Sequence, residues 1–177
     1  VSQAMNAGIN LTTAEEAQQI RRIIQANTAQ LSGADLAAVG FHSWASALEH
    51  GIAAHHAGML TAFKETVEQL FAQGLVKVVY ATETLALGVN MPARTVVLES
   101  LRKWDGQAHN QLTPGQYTQL TGRAGRRGID SIGYAVVLGA GQVEAQTVAS
   151  LASKRSYPLK SAFTPNYNMA GKPLFPT

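Results

Sequence analysis

The chain of 177 residues contains no cysteine, which excludes disulfide bonds and thiolate metal sites. It has no apolar run close to the roughly 20 residues that a membrane-spanning helix needs. No basic stretch followed by an apolar one and a small-residue cleavage site is present, so nothing indicates secretion. We therefore expect a cytoplasmic protein that has no contact with a membrane.

Two motifs of nucleotide-hydrolysing enzymes are also absent. The chain has no Gly-x-x-x-x-Gly-Lys-Ser/Thr phosphate loop and no Asp-Glu-x-His strand end that could hold Mg²⁺. Consequently it cannot build a complete nucleotide site by itself. A phosphatase or a nucleotidyl enzyme that acts alone is disfavoured too, because the sequence shows no constellation of a nucleophile or of metal ligands.

The composition is that of a globular protein, with 46% hydrophobic residues and a net charge of +3. A chain of this length can bury one real core. The positive charge is compatible with an anionic partner but does not require one, because many basic domains bind nothing acidic. Arg102, Lys103 and His109 follow an apolar run, and we expect them to lie in a solvated loop.

Helical and strand patterns alternate along the chain. Thr12 or Thr13, followed by Glu15 and Glu16, predicts the capped start of the first helix. Apolar patterns predict further helices at about 33–49, 61–71, 113–120 and 143–152, and strands at 51–55, 76–81, 95–98 and 134–138. Strands separated by helices predict an α/β fold with a mostly parallel sheet covered on both faces.

Residues 119–128, which we call the arginine segment, read Gln-Leu-Thr-Gly-Arg-Ala-Gly-Arg-Arg-Gly. Arg123 and Arg126 are three residues apart, a spacing that puts two side chains on one face of a short helix. The glycines leave room for a highly charged ligand, and guanidinium groups bind phosphate oxygens bidentately. The segment predicts two arginines aimed at a polyphosphate or a nucleic-acid backbone. A glycine-rich surface turn with solvated arginines is the alternative.

A second informative block spans residues 76–98. Its apolar run from Val76 to Ala81 predicts a buried strand that ends at the polar residues 82–84. In open α/β sheets, ligands bind at the carboxyl ends of the strands. A turn containing glycine, asparagine and proline follows, and then a second apolar strand. This block and the arginine segment together therefore predict one site.

Three segments in this order resemble superfamily 2 DExH-box RNA helicases of the Ski-like, exosome-associated group. Residues 81–94 (Ala-Thr-Glu-Thr-Leu-Ala-Leu-Gly-Val-Asn-Met-Pro-Ala-Arg) resemble motif V, and the arginine segment resembles motif VI. Residues 51–59 (Gly-Ile-Ala-Ala-His-His-Ala-Gly-Met) resemble the stretch between motifs IV and V. Within the group, the sequence is most similar to the actinobacterial HelY-type helicases, from about residue 11 to residue 169. The resemblance implies a three-layer RecA-like domain of the P-loop NTPase type.

The resemblance also implies how the chain is divided. Residues 1–152 correspond to the second RecA-like lobe, in which the family's N-terminal strand with motif IV is missing. The sheet is therefore expected to have an unpaired edge. Residues 153–177 correspond to a linker and the truncated beginning of a winged-helix domain, because residues 157–169 are similar to the entry into that domain.

In the family, ATP with Mg²⁺ is bound mainly by the first lobe, which is absent here. The resemblance implies that Arg126 is the arginine finger on the γ-phosphate and that Arg123 is a second phosphate contact. Gln119 would lie beside the γ-phosphate or the attacking water, with a plain helix-surface glutamine as the alternative. Gly88 and Asn90 match positions near the ribose and phosphates, although turns favour both residue types in any case.

On the nucleic-acid side, the resemblance implies that Thr82 and Thr84 contact the backbone of the strand without reading its bases. Glu83 would link that contact to the bound nucleotide through hydrogen bonds. Capping of the strand end is the alternative for all three. His55 and His56 lie near the RNA path in the family, so one would contact a phosphate while the other packs. We predict no metal site, because neighbouring strand residues point to opposite faces and no third ligand is suitably spaced.

We therefore predict the C-terminal motor lobe of an ATP-dependent RNA helicase that hydrolyses ATP and unwinds in the 3′-to-5′ direction. The isolated lobe is expected to be inactive, because the N-terminal RecA-like lobe of the same full-length protein would supply the phosphate loop. The other expected partners are single-stranded RNA, with DNA as the alternative, and the RNA-degradation machinery. The competing prediction is a stand-alone nucleic-acid-binding module without motor activity.

Overall fold

The computed structural model describes residues 1–82, 91–104, 108–139 and 143–153. They belong to two compact units. Unit 1 comprises residues 1–97 and 119–136, and unit 2 comprises the rest of the chain. The segment predicted to be a linker and the beginning of a winged-helix domain lies almost wholly outside the described residues, so the predicted domain boundaries stay predictions.

The described residues contain the predicted mixture of helices and strands, although four helices precede the first strand and four of the strands follow one another with no described helix between them. The helices are α1 (Ser2–Asn6), α2 (Ala14–Thr28), α3 (Gly33–Ala38), α4 (Phe41–Glu49), α5 (Thr61–Ala72), α6 (Pro114–Thr121) and α7 (Ala145–Ser153). The strands are β1 (Ile52–His55), β2 (Val78–Ala81), β3 (Thr95–Leu98), β4 (Arg102–Trp104), β5 (His109–Gln111) and β6 (Tyr134–Val137). None of these helices is long and apolar enough to cross a membrane.

Helix α2 begins with a capping box, where the sequence predicts a capped helix start. The Thr13 hydroxyl accepts a hydrogen bond from the Glu16 amide at 3.1 Å, and the Glu16 carboxylate accepts one from the Thr13 amide at 2.9 Å. The same carboxylate accepts a bond from the Lys77 ammonium at 2.7 Å. This bond and the one from the Thr13 amide lower the pKa of Glu16. The first turn of α2 is thereby tied to the segment that precedes β2.

The hydrophobic core of unit 1 lies among helices α2, α4 and α5 and strand β1. Ile20, Leu48 and Val67, one from each helix, are fully buried. Trp44 of α4 stacks on Phe63 of α5 with their ring centres 3.9 Å apart. Buried residues recur every three or four positions in α2 and α5. The residues whose spacing predicts these helices are therefore also the ones that pack in the core.

Two parallel strand pairs confirm the α/β prediction. β1 pairs with β2 in parallel, with Ile52 opposite Val78. β3 pairs with β6. The amides of Tyr134 and Leu138 are four residues apart, and they donate to two carbonyls in or beside β3 that are also four residues apart. Hydrogen bonds that advance equally along both strands are the parallel pattern. A helix connects β1 to β2, as parallel neighbours require.

Strand β2 is less buried than the sequence predicts. Val78 is 38% exposed and Tyr80 is 43% exposed, although the run from residue 76 to residue 81 is largely apolar. Among the described strands, β2 has one hydrogen-bonded neighbour, β1. No second described strand pairs with β2, and the unpaired edge expected from a missing N-terminal strand stays a prediction.

The prediction of a single helix from about Gly33 to Glu49 is wrong. The structure has two helices there, α3 and α4, and Gly40 between them has a φ of 69°. A left-handed backbone interrupts a right-handed helix, and glycine adopts it without steric strain. The apolar periodicity continues on both sides of Gly40, so it did not indicate the break.

In unit 2, an antiparallel strand pair stands where the sequence predicts a solvated loop. β4 pairs with β5, with Trp104 opposite His109, and the two rings lie 5.2 Å apart. The Arg102 guanidinium donates to the His109 carbonyl at 2.8 Å. A cavity of about 530 Å³ is lined by both strands and by Thr147 of α7 among others. None of the predicted site residues that the structure describes lines this cavity.

Candidate nucleotide and nucleic-acid site

The arginine segment is helical only in its first three residues, so the prediction of a short helix that carries both arginines is wrong. Helix α6 ends at Thr121, and the chain then runs beside Ala93. The Ala93 amide donates to the Arg123 carbonyl at 3.0 Å, and the Gly125 amide donates to the Ala93 carbonyl at 2.7 Å. These bonds form a parallel bridge between Ala93 and Ala124. The backbone beside Arg123 is thereby fixed to the end of the motif V-like segment.

Two glycines explain why the segment leaves the helical path. Gly125 has a φ of 88°, in the left-handed region that other residues rarely adopt. Its backbone also packs directly against Gly133. A β-carbon at Gly133 would lie 2.4 Å from the Gly125 nitrogen and 2.5 Å from the Ala124 carbonyl carbon. The two backbones therefore meet with no side chain between them, and this close approach fixes the course of the chain before Arg126.

A single carboxylate holds Arg126. The Arg126 Nε donates to Oδ2 of Asp130 at 2.8 Å, and its Nη2 donates to Oδ1 at 2.9 Å. The Arg126 amide donates to the same Oδ2 at 3.0 Å. The Asp130 side chain is 8% exposed, whereas the Arg126 side chain is 42% exposed. The carboxylate is thus buried, and the guanidinium extends from it to the surface.

The ion pair stabilises both of its charges. The hydrogen bonds from the Arg126 side chain and from its backbone amide lower the pKa of Asp130 to about 2. The positive charges of Arg126 and Arg94 lower it further, while burial acts in the opposite direction. The bond to Asp130 in turn raises the pKa of Arg126. The Arg94 guanidinium lies 5.9 Å from the centre of the Tyr134 ring. Asp130 is therefore the negative centre of a patch that contains two arginines.

The other two residues predicted to contact the nucleotide lie near the end of α6. Arg123 is half-buried in the turn that follows the helix, and its amide donates to the Leu120 carbonyl at 3.3 Å. Gln119 is exposed on the last turn of α6. The structure thus has Arg123 and Arg126 on one glycine-rich loop, with Gln119 on the helix before it. The phosphate and water contacts assigned to these three residues stay predictions.

Of the polar residues predicted at the end of β2, the structure describes Thr82. It is exposed, and its amide donates to the His55 carbonyl at 3.3 Å, which continues the pairing of β1 with β2 by one residue. The remaining predicted residues of this block, Glu83, Thr84, Gly88 and Asn90, lie outside the described residues. The nucleic-acid and nucleotide contacts assigned to this block therefore stay predictions.

The two adjacent histidines have opposite environments. His55 ends β1 with a buried ring, and its Nε2 lies 2.9 Å from Oε1 of Glu68 on α5. Its Nδ1 is buried and has no hydrogen-bond partner among the described residues. His56 is exposed, so it is the histidine that a ligand could reach. Over the described ranges, no group of three or more His, Asp or Glu side chains could hold a metal ion.

Four residues that shape this site were not predicted from the sequence: Ala93, Arg94, Asp130 and Gly133. Asp130 carries a signal that could have identified it, because opposite charges four residues apart can form an ion pair. Ala93 and Gly133 carry no comparable signal. Both residues contact the arginine segment through backbone atoms, and Ala93 lies far from that segment in sequence.

Residues 3–128 match the profile of a protein family described as the helicase conserved C-terminal domain. The match covers most of the 177 residues and includes both predicted arginines. Asp130 and Gly133 lie just beyond its end.

Several helicases are similar to this chain. The protein named "Probable helicase HelY" of Mycobacterium tuberculosis is 56% identical over 169 residues, which cover 96% of this chain. Superkiller complex protein 2 of Homo sapiens is 43% identical over 162 residues, or 91% of this chain. DExH-box ATP-dependent RNA helicase DExH11 of Arabidopsis thaliana is 48% identical over 131 residues, or 74% of this chain. The chain spans 19%, 13% and 10% of the lengths of these three relatives.

Proposed function

We propose a function on one premise: this chain belongs to the family of helicase conserved C-terminal domains. Its relatives are HelY helicases and Ski2-like DExH helicases, as the resemblance predicted. The domain of this family is RecA-like, so the predicted fold class is confirmed. We infer that the chain is the C-terminal motor lobe of an ATP-dependent RNA helicase that unwinds in the 3′-to-5′ direction.

The observation that carries this proposal is the side-on pairing of Arg126 with Asp130, which leaves the Nη1–Nη2 edge of the guanidinium free of that carboxylate. Asp130 accepts hydrogen bonds from Nε and Nη2, and the Arg126 side chain as a whole is 42% exposed. The outer Nη1–Nη2 edge of such a guanidinium can bind two phosphate oxygens at once. An ATP γ-phosphate brought to this edge would have its transition-state charge stabilised. Arg123, on the same loop, is the proposed second phosphate contact.

The nucleotide in this proposal is ATP with Mg²⁺, held mainly by the N-terminal RecA-like lobe of the same full-length protein. Hydrolysis then requires closure of the two lobes, because the arginines arrive from the side opposite the phosphate loop. Gln119 would contact the γ-phosphate or the attacking water. Glu83, Gly88 and Asn90 would line the nucleotide side of the motif V-like segment.

The proposed substrate is single-stranded RNA, with DNA as the alternative. Thr82 and Thr84 would hold the strand through its phosphates, and exposed His56 would be the histidine that contacts a phosphate while His55 packs. One relative is named an ATP-dependent RNA helicase, and another is named as a member of a Superkiller complex. These names support RNA as the substrate and a complex as the setting, and we propose the RNA-degradation machinery as the partner. The cytoplasmic location stays a prediction.

The decisive experiment replaces Arg126 in the full-length helicase. Arg126→Ala is expected to lower kcat for ATP hydrolysis by about 10³-fold or more, as the loss of an arginine finger does in GTPases. ATP binding should remain largely intact. Arg127→Ala is the matched control, because Arg127 is the adjacent exposed arginine, and hydrolysis by this variant should equal that of the parent. The chain alone should hydrolyse no ATP.

Equal hydrolysis by the Arg126→Ala variant and the parent would remove the finger assignment. Hydrolysis by the chain alone, stimulated by single-stranded RNA, would contradict its role as half of a site. The competing function, a stand-alone nucleic-acid-binding module, is tested by RNA binding. A motor lobe that holds phosphates should bind weakly and with a steep dependence on salt. Base-specific binding that survives high salt would favour the module.

A further inference from the structure

We propose that Asp130 is a positioning residue for Arg126: it holds the guanidinium from the side, so that the Nη1–Nη2 edge faces outward to receive a phosphate. This inference rests on the proposed function, because it assigns a task to the residue that orients the proposed finger. Asp130 itself would touch neither ATP nor RNA. Its contribution to hydrolysis would pass entirely through Arg126.

The first support is the geometry of the ion pair. The bonds at 2.8 Å and 2.9 Å use Nε and Nη2, which lie along one side of the guanidinium. This side-on arrangement fixes the plane of the group and leaves the outer edge available. An end-on ion pair through Nη1 and Nη2 would instead occupy the edge that a phosphate needs. The observed pairing is therefore compatible with phosphate binding by the same arginine.

The second support is the contrast in burial. An arginine has several rotatable bonds, and an exposed one occupies many rotamers. Here Arg126, whose side chain is 42% exposed, is hydrogen-bonded to Asp130, whose side chain is 8% exposed. The carboxylate is in turn held by the Arg126 amide at 3.0 Å, and the Asp130 amide donates to the Arg126 carbonyl at 2.9 Å. The turn from residue 126 to residue 130 is thus closed by backbone and side-chain bonds together.

The third support is the charge around Asp130. Arg94 as well as Arg126 favours the ionised carboxylate. Asp130 therefore keeps its negative charge at neutral pH and can accept from both Nε and Nη2. An asparagine at this position would offer one oxygen acceptor and one NH₂ donor. Because the NH₂ group cannot accept from Arg126, one of the two side-on bonds would be lost and the plane of the guanidinium would be released.

The kinetic test uses the full-length helicase. Asp130→Asn is expected to lower kcat for ATP hydrolysis by about 10²-fold, the effect of a misplacement near 1 Å. KM for ATP should stay unchanged, because the lost interaction acts only in the transition state. Asp130→Glu keeps the charge but moves the carboxylate by about 1.5 Å, the length of one carbon–carbon bond. It should not restore kcat, whereas full restoration would show that only the charge matters and would overturn the positioning role.

A double substitution separates positioning from general stability. In an Arg126→Lys background the two side-on bonds cannot form, because a lysine ammonium lacks the planar fork. Asp130→Asn should then cause no further loss of kcat. A loss in that background as large as in the parent would mean that Asp130 acts independently of Arg126. That result would overturn the proposal.

A direct readout on this chain does not depend on hydrolysis. In NMR spectra of arginine-labelled protein, exchange of the Arg126 Hε with water should be slow, because Asp130 accepts from Nε. Asp130→Ala, which removes both side-chain acceptors, should raise the exchange rate to that of exposed Arg127, the internal reference. Unchanged slow exchange in the variant would overturn the ion pair.

The failures of the two proposals are distinguishable. Unchanged ATP hydrolysis in Arg126→Ala would remove the finger assignment. Loss of hydrolysis in Arg126→Ala without loss in Asp130→Asn would remove only the positioning role.

Discussion

Gly133→Ala offers the sharpest test of how the arginine segment is held. A β-carbon at this position would lie 2.4 Å from the Gly125 nitrogen, 2.5 Å from the Ala124 carbonyl carbon and 2.6 Å from the Ala124 oxygen. Ordinary contacts begin near 3.4 Å, so the overlap is about 1 Å. All three atoms belong to the backbone, and no side-chain rotation can relieve the overlap. The segment that carries the arginines must therefore move.

The structure sets the size of the expected effect. Forcing a methyl group into a close-packed contact destabilises a protein by about 1–3 kcal/mol. In a protein of this length, each kcal/mol lowers Tm by roughly 2–4 °C. We therefore expect a clear loss of thermal stability in the chain itself. A displacement of the arginines near 1 Å should also lower kcat of the full-length helicase by about 10²-fold.

The control for this prediction is Gly33→Ala. Gly33 lies in α3, and a β-carbon there would meet no atom within 4 Å. Because alanine favours the helix over glycine, this substitution should leave Tm unchanged or raise it. Calorimetry of the two variants beside the parent provides the measurement. If Gly133→Ala melted with the parent and hydrolysed ATP at the parental rate, the close approach of residues 125 and 133 would not be holding the segment.

Two further predictions concern stability and pH. Thr13→Ala removes the capping hydroxyl of α2 and should lower the free energy of unfolding by about 1 kcal/mol. The control is Thr61→Ala, because Thr61 is exposed and caps no helix. Equal melting of the two variants would refute the capping role. The pKa of Asp130 is lowered to about 2 from 3.8, so its stabilising contribution should be complete above about pH 4 and be lost as the pH falls through 2. A carboxyl titration followed by NMR that shows an ordinary midpoint for Asp130 would contradict the ion pair with Arg126.

The parts of the fold that the sequence predicted well are those specified locally. The Thr13–Glu16 capping box marks the start of α2, and the buried residues of α5 follow the helical period. Strand β1 was predicted from its apolar run next to Gly51. In each case the residues that create the pattern are also those that make the contacts, so a short stretch of sequence contains the necessary information.

The arginine segment was predicted incorrectly because its conformation is set from outside. A spacing of three residues fits one face of a helix, but it fits other conformations as well. The bridge to Ala93 and the packing against Gly133 decide between them. Ala93 lies thirty residues before Arg123, and both partners act through backbone atoms. The family resemblance predicted the residues of the candidate site, whereas the local pattern did not predict their geometry.

Three separate contacts fix the two arginines, and the removal of each should have a different consequence. The Ala93 bridge and the Gly133 packing hold the backbone of the loop, so a change at Gly133 should displace both Arg123 and Arg126. The Asp130 carboxylate holds the Arg126 side chain and also accepts a hydrogen bond from the Arg126 amide. Because the oxygen of an asparagine can still accept from that amide, Asp130→Asn should lower Tm less than Gly133→Ala does. If both variants lowered Tm equally, Asp130 would be a general stabiliser of the loop, and the specific orientation of one guanidinium would lose its support.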